Sequence, residues 1–197
     1  MYSRMKQLCK RVKGDKIAAS EMLQIYYKDI YAYLRRLCGS NQDAEDLTQQ
    51  TFLNVWSSID GFAGHSKFST WLYRIAHNTW IDWQRTNTAR VQSRQDKWWA
   101  ECRDRNPGPF ASVAERQVAQ HLYQAVEQLD EDKRHIVHLH YYQGLSIRET
   151  AKVLNIATST VKYRLREVFK ILRPKLDVEE TGFEKSQTIP IARREPL

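Results

Sequence analysis

At 197 residues the chain has room for one ordinary domain or two small ones, and 42% hydrophobic with 27% charged residues is the balance of a water-soluble fold. Only seven glycines and five prolines occur, and 3.6-period apolar patterns recur where clean alternating runs do not, which disfavours a β or α/β enzyme fold and predicts an all-α chain. A formal net charge of +8 points to a polyanionic partner, nucleic acid first, because each Lys or Arg meeting a phosphate releases condensed counterions.

The basic start MYSRMKQLCKRVKGDK has no apolar run of signal-peptide length behind it, and no stretch of 18 apolar residues follows, so a cytosolic protein without membrane insertion is expected. Cys9, Cys38 and Cys102 are odd in number and form no CxxC pair, which predicts free thiols, with Cys38 semi-buried at a helix end.

In chain order, Leu23, Tyr26, Tyr27, Ile30, Tyr31, Leu34 and Leu37 trace one helix face from about Ala18, stopped by Gly39. A second helix begins near Ala44, with Leu47, Thr51, Phe52, Val55, Trp56 and Ile59 inward and Asp46, Gln49, Gln50 and Asn54 outward. After the loop DGFAGHSK, a third helix runs from about Ser69 to Thr86, with Trp71, Leu72, Ile75 and Thr79 as its apolar stripe. Arg74, His77, Asn78, Asp82 and Arg85 lie outside that stripe; Trp80 and Trp83 flank it, suited equally to packing or to the partner. Beyond Arg90 periodicity fails, and Pro-Gly-Pro marks an interdomain linker over 93–112, in which Trp98 and Trp99 are expected to pack back on the first domain. Helices resume at Val113, with Val118, Leu122, Ala125, Val126 and Leu129 in one stripe; Asp130 caps a helix carrying Ile136, Val137, His140 and Tyr141 that stops at Gly144.

The run LSIRETAKVLNIATSTVKYRLREVFKILRPKL carries the clearest motif. Ser146 with Glu149 forms a capping box opening a short helix, Asn155-Ile156-Ala157 is a tight turn, and Thr158 or Ser159 is expected to cap a longer helix ending before Pro174. Two helices joined by a three-residue turn match the helix-turn-helix plan, whose second helix enters the major groove. Between Thr158 and Lys175 the only acid is Glu167. Lys162, Tyr163 and Arg166 lie opposite the Val161/Leu165 stripe where base edges would be, and Thr158, Ser159 and Thr160 occupy the anion-favouring helix start. The last residues, 177–197, lack periodicity and read as a flexible tail.

DAEDLTQQTFLNVW followed by FAGHSKFSTWLYRIAHNTWIDWQR resembles promoter-binding region two of bacterial extracytoplasmic-function (ECF) sigma factors, and LDEDKRHIVHLHYYQGLSIRETAKVLNIATSTVKYRLREVFKIL resembles their region four. The resemblance implies two small helical domains joined by a flexible linker: region two over 1–92 and region four over 113–176. It implies a non-catalytic specificity subunit that binds core RNA polymerase and promoter DNA, both duplex and melted strand, needs no cofactor, and is commonly held by an anti-sigma factor, in some cases at the inner membrane. The family's polymerase-binding pattern falls on Asp46, Leu47, Gln49 and Phe52, with Gln50 where the family usually has Glu. Its minus-ten element falls on the loop 61–67 and the next helix, with Phe62, Ser66, Lys67, Arg74 and Asn78 as candidates to capture an unstacked base. Its minus-thirty-five reader falls on Thr158, Ser159, Thr160, Lys162, Tyr163, Arg164 and Arg166; Tyr163 stands where a small residue is common.

Two rivals lead elsewhere. A free-standing helix-turn-helix regulator would explain the second block but leave the first as coincidence. An enzyme or metal protein would need a nucleotide or metal motif; His121, His135, His138 and His140 lack carboxylate or cysteine at ligand spacing, so solvated or semi-buried histidines and no metal site are expected.

Overall fold

In the computed structural model the backbone is described for residues 16–101 and 121–180, and side chains for residue 21, 24–87 and 121–174. The expectations for Cys9, Cys102, Leu23, Val113, Val118, the Trp98/Trp99 side chains and the tail beyond 180 lie outside these residues.

Three helices build the first layer: α1 (Lys16–Cys38), α2 (Asn41–Ser58) and α3 (Phe68–Glu101). Of the expected α1 stripe Ile30, Leu34 and Leu37 are buried and Tyr26 and Tyr31 half-buried, Tyr33 is buried as well although it lay outside that stripe, and the helix ends where Gly39 adopts φ +68°, a left-handed turn glycine enters without a Cβ penalty. Cys38 is fully buried rather than semi-buried, its thiol donating to the Ser40 carbonyl, and burial pushes that thiol up to about 11. Tyr27, counted inward from the sequence, is 37% exposed. Ser40 caps α2 by accepting the Asp43 amide. From α2, Leu47, Thr51, Phe52, Val55 and Ile59 go inward, but Trp56 is 40% exposed and does not join them.

The third helix differs most from expectation. It leaves helical geometry at Asn87 (φ −125°, ψ 22°), one residue past the expected end, then resumes and runs to Glu101 through the first part of the expected linker. Asn87 and Thr86 both donate side-chain hydrogen bonds to the Trp83 carbonyl, so local side chains take over acceptors at the break. The buried face of α3 is also wider than the expected stripe: Leu72, Tyr73, Ala76, His77, Thr79 and Trp80 are buried, while Trp71 and Ile75 are half-buried against the core.

The second layer holds a helical segment over 121–127 (α4), α5 (Glu131–Val137), a π-helical turn at His138–Tyr142, α6 (Ile147–Leu154) and α7 (Thr158–Glu180). Asp130 caps α5 through the Lys133 amide, and Ser146 and Glu149 form both bonds of the capping box. Asn155 turns the chain in the left-handed region (φ 54°), which asparagine tolerates. α7 begins at Thr158, so Ala157 precedes it and neither Thr158 nor Ser159 is the cap; all three hydroxyl residues lie within the first turn. Pro174 sits inside α7, which continues to Glu180, beyond the expected stop and into the expected tail.

Two cores hold this layer, Ala125, Val126, Leu129, Val137, Val168 and Leu172 in one, and Ile136, Ala151, Val161 and Leu165 in the other. A third set, Leu139, Leu145 and Val153, instead joins the core of α1–α3. The π turn makes this possible. Its wide bond from the Gln143 amide to the His138 carbonyl, with Gly144 at φ +68°, swings the chain so that Leu139 and Leu145 face the first layer. The two layers are thus packed together, with α6 lying along α3.

Candidate nucleic-acid interface

On α2 the expected split holds: Leu47 and Phe52 are buried in the core while Asp46, Gln49 and Gln50 are exposed. Gln50 donates to the Asn54 carboxamide, which donates onward to Thr79 of α3, tying the exposed face to the third helix. The sequence reading missed Leu53, 63% exposed, and misplaced Trp56; both stand on the same face, at i+7 and i+10 from Asp46. That spacing is readable in the sequence, and only the prior that large apolar residues face inward hid it.

The loop 61–67 connects α2 to α3. Phe62 does not stand free: its half-buried ring packs on Phe68 (5.6 Å) and Trp71 (5.1 Å), anchoring the loop to the start of α3. Ser66 is half-buried and Lys67 exposed. One helical turn apart on α3, Arg74 and Asn78 are both exposed and share a face. His77, expected outside the apolar stripe, is instead buried; its Nδ1 lies 3.1 Å from the Tyr33 hydroxyl, and burial pushes the imidazole down to about 4. Trp80 is resolved in favour of packing: it is 2% exposed, against His77 and His135. Trp83 is half-buried.

The recognition-helix candidates separate by face. Val161, Leu165, Val168 and Leu172 are buried, and Lys162, Tyr163 and Arg166 project outward, with Tyr163 62% exposed. Arg164 turns back instead, pairing with Asp132 of α5 at 2.6 Å. Thr158 and Thr160 are half-buried and Ser159 exposed. An open concavity lined by Arg148, Lys152, Asn155 and Thr158 lies at the start of α7, where first-turn amides and two cations favour a phosphate.

The expectation of solvated or semi-buried histidines fails for two of them: His135 is 5% exposed, packed on His77 and Trp80 of α3, and His138 is fully buried beside Glu127 and Tyr142. Among the described residues no cluster of His, Cys, Asp or Glu could hold a metal ion. No helix among them is long and apolar enough to cross a membrane.

The loop and the helix-turn-helix touch directly. Lys67 pairs with Glu149 at 2.9 Å, the Lys152 ammonium donates to the His65 carbonyl at 3.4 Å, and the Tyr73 hydroxyl donates to Gln143 at 2.7 Å. Partial burial acts to raise the Glu149 carboxyl, but hydrogen bonds from Ser146 and the Lys67 ammonium outweigh it and hold the group below the usual carboxylate range. An exposed ion pair of this kind is worth about 0–1 kcal/mol, whereas fully burying a leucine contributes about 1.5–3 kcal/mol. Leu139, Leu145 and Val153 therefore hold the layers together, and the polar contacts set their register.

Residues 22–90 match the family model "Sigma-70 region 2" and residues 119–172 match "Sigma-70, region 4". The chain is 31% identical over 156 residues to the ECF RNA polymerase sigma factor SigX of Bacillus subtilis, covering 78% of this chain and 80% of that one. The chain belongs to the ECF sigma factors. This sigma factor is also 29% identical over 191 residues to SigW of Bacillus subtilis, covering 89% of its own length and 98% of SigW. Among solved structures it is similar to RpoE of Bartonella quintana in complex with the anti-sigma factor NepR, at 25% identity and a TM-score of 0.62, over 81% of this chain and 97% of that one. The same fold occurs in CnrH in complex with the cytosolic domain of CnrY, at 21% identity and a TM-score of 0.60, over 90% and 97%. As an ECF sigma factor the protein directs transcription initiation without catalysis of its own. A free-standing regulator is thereby set aside, since residues 22–90 carry a sigma module of their own.

Proposed function

We propose that this sigma factor docks on core RNA polymerase through the exposed face of α2, captures a melted minus-ten base with the loop 61–67 and α3, and reads the minus-thirty-five duplex with α7. The observation carrying the minus-ten assignment is the exposed Arg74/Asn78 pair directly after the loop, on a helix whose other faces are committed to packing. Lys67 and Ser66 supply the phosphate and hydroxyl contacts, while Phe62 acts by holding the loop on Phe68 and Trp71. Polymerase docking uses Asp46, Gln49 and Gln50, extended by Leu53 and Trp56. Lys162, Tyr163 and Arg166 meet base edges, Arg164 the flanking backbone, and Thr158, Ser159 and Thr160 a phosphate.

The domain assignment is region two over 1–92, a connecting segment over 93–112 and region four over 113–176. The packed arrangement is then a closed state. Minus-ten and minus-thirty-five elements lie about 25 base pairs apart, roughly 80 Å at 3.4 Å per step, while here the loop touches α6 of the helix-turn-helix. Both elements are engaged only after the layers separate. A cytoplasmic location follows from a polymerase partner, and an anti-sigma factor is a further partner, supported by the likeness to the RpoE–NepR complex.

Run-off transcription with core polymerase on genomic promoter fragments tests the reading. Specific transcripts should require the sigma factor, and their start sites should share elements at the two positions. Duplex binding by the sigma factor alone, with no effect on core polymerase, would refute it.

A further inference from the structure

The closed state is sealed by histidines. His135 of α5 inserts against α3, its ring nearly perpendicular to both Trp80 (centroids 4.6 Å apart) and His77 (5.1 Å). All three side chains are buried. Among the described residues the His135 Nε2 has no hydrogen-bond partner, and Glu131, on its own helix, is 4.0 Å away with 45% of its side chain exposed. From α1, the buried Tyr33 hydroxyl faces His77 and Arg36 lies near His138; Arg134 adds positive charge beside both His135 and His138. One turn on, fully buried His138 has Glu127 of α4 at 3.4 Å from Nε2. The His77–His135 contact therefore has two imidazoles meeting ring to ring, with no carboxylate among the described residues hydrogen-bonded to either.

We propose that this contact is a proton-sensitive latch: proton uptake at His135 and His77 separates region four from region two and frees the loop 61–67 from its contacts with Glu149 and Lys152 so that it can engage promoter DNA. The inference rests on the assignment of that loop to the minus-ten element. A buried imidazolium loses its hydration, and two of them 5.1 Å apart would repel across a dry interface. Released into water, His135 returns to the ordinary histidine value near 6.5. Burial holds both groups down in the closed state, His77 at about 4 and His135 well below its usual range. Because the closed-state values are depressed, the open state binds more protons. Closure is fully favoured above about pH 6.5 and weakens as pH falls from there toward the closed-state values. Between pH 7.5 and 5.5 one such histidine raises the open-to-closed ratio about tenfold, and two raise it about a hundredfold. His138 is placed to respond less, since Glu127 opposes its desolvation. Glu149, at the contact with the loop, is held below the usual carboxylate range and stays charged in this window.

The experiment is small-angle scattering of the full chain at pH 7.5 and 5.5, with far-ultraviolet dichroism to follow helix content and NMR titration of the histidine rings. The expected result is a reversible rise in radius of gyration at pH 5.5 with helix content unchanged. In His135→Phe, whose ring fills the same gap without binding a proton, the pH response of the open-to-closed ratio should fall about tenfold. Should that variant misfold, the wild-type titration decides alone: compaction and deprotonation of His135 should follow one curve. An unchanged radius across the range, equal expansion in His135→Phe, or His135 titrating near 6.5 while the chain stays compact would overturn the proposal. Scattering needs neither polymerase nor DNA, so an error in the minus-ten assignment would appear in run-off transcription and leave the scattering response in place.

Discussion

Asn78 is exposed on a helix where Leu72, Tyr73, Ala76, His77, Thr79 and Trp80 are all committed to packing. Truncating it should therefore cost function and leave the fold alone. Polar side-chain contacts to a base contribute about 1–3 kcal/mol, so Asn78→Ala should slow open-complex formation roughly 5- to 160-fold. Permanganate footprinting measures the opening and a core-binding assay the docking; unchanged opening would remove Asn78 from the role. On α7 the distinction is between Arg164, held by Asp132, and the outward Lys162 and Arg166. Lys162→Ala with Arg166→Ala should erase preference for the upstream element, each base contact being worth about 1–3 kcal/mol of discrimination. Arg164→Ala should instead weaken binding evenly across upstream sequences. Competition binding of the polymerase holoenzyme to promoter variants separates the two patterns.

Among the elements, α2 and α6 carry the sharpest expectations. Both hydrogen bonds of the Ser146/Glu149 capping box are present at the start of α6, an eight-residue helix too short to persist without tertiary support. Ser146→Ala should lower stability by about 0.5–2 kcal/mol in urea unfolding, with the loss concentrated in amide exchange of α6. On α2, Leu53 and Trp56 are exposed and uncovered among the described residues. Replacing both with Ala should leave thermal stability nearly unchanged and weaken core-polymerase binding by tenfold or more, measured by fluorescence anisotropy. A fall in melting temperature with binding intact would mean the pair supports the fold instead.

Taken as one molecule, the protein is decided by the contact between its layers. Tyr73, buried in α3 and edge-on to Tyr33, reaches across to Gln143 with its hydroxyl. Tyr73→Phe keeps the ring in the first core and deletes one bridge worth about 0.5–1.5 kcal/mol, so the open fraction should rise about two- to tenfold in scattering at pH 7.5. Unchanged compactness would mean that the Leu139, Leu145 and Val153 contact suffices without it.

Local sequence pattern by itself determined where the helices lie, the helix-turn-helix turn, the capping box and, on α2, the burial of Leu47 and Phe52 with Asp46, Gln49 and Gln50 exposed, though not the exposure of Leu53 and Trp56. Each depends on residues within a few positions of one another, so the local pattern contains the physics. The sequence did not show that α3 resumes beyond Asn87 or that α7 passes Pro174, because local breaker residues weigh against both continuations. The fate of Trp80 and the burial of His77, His135 and His138 depended on tertiary structure alone. For Trp80, His77 and His135 the cover comes from a helix some 55 residues away in the chain, and no helical period can register a neighbour brought in by the packing of a second core.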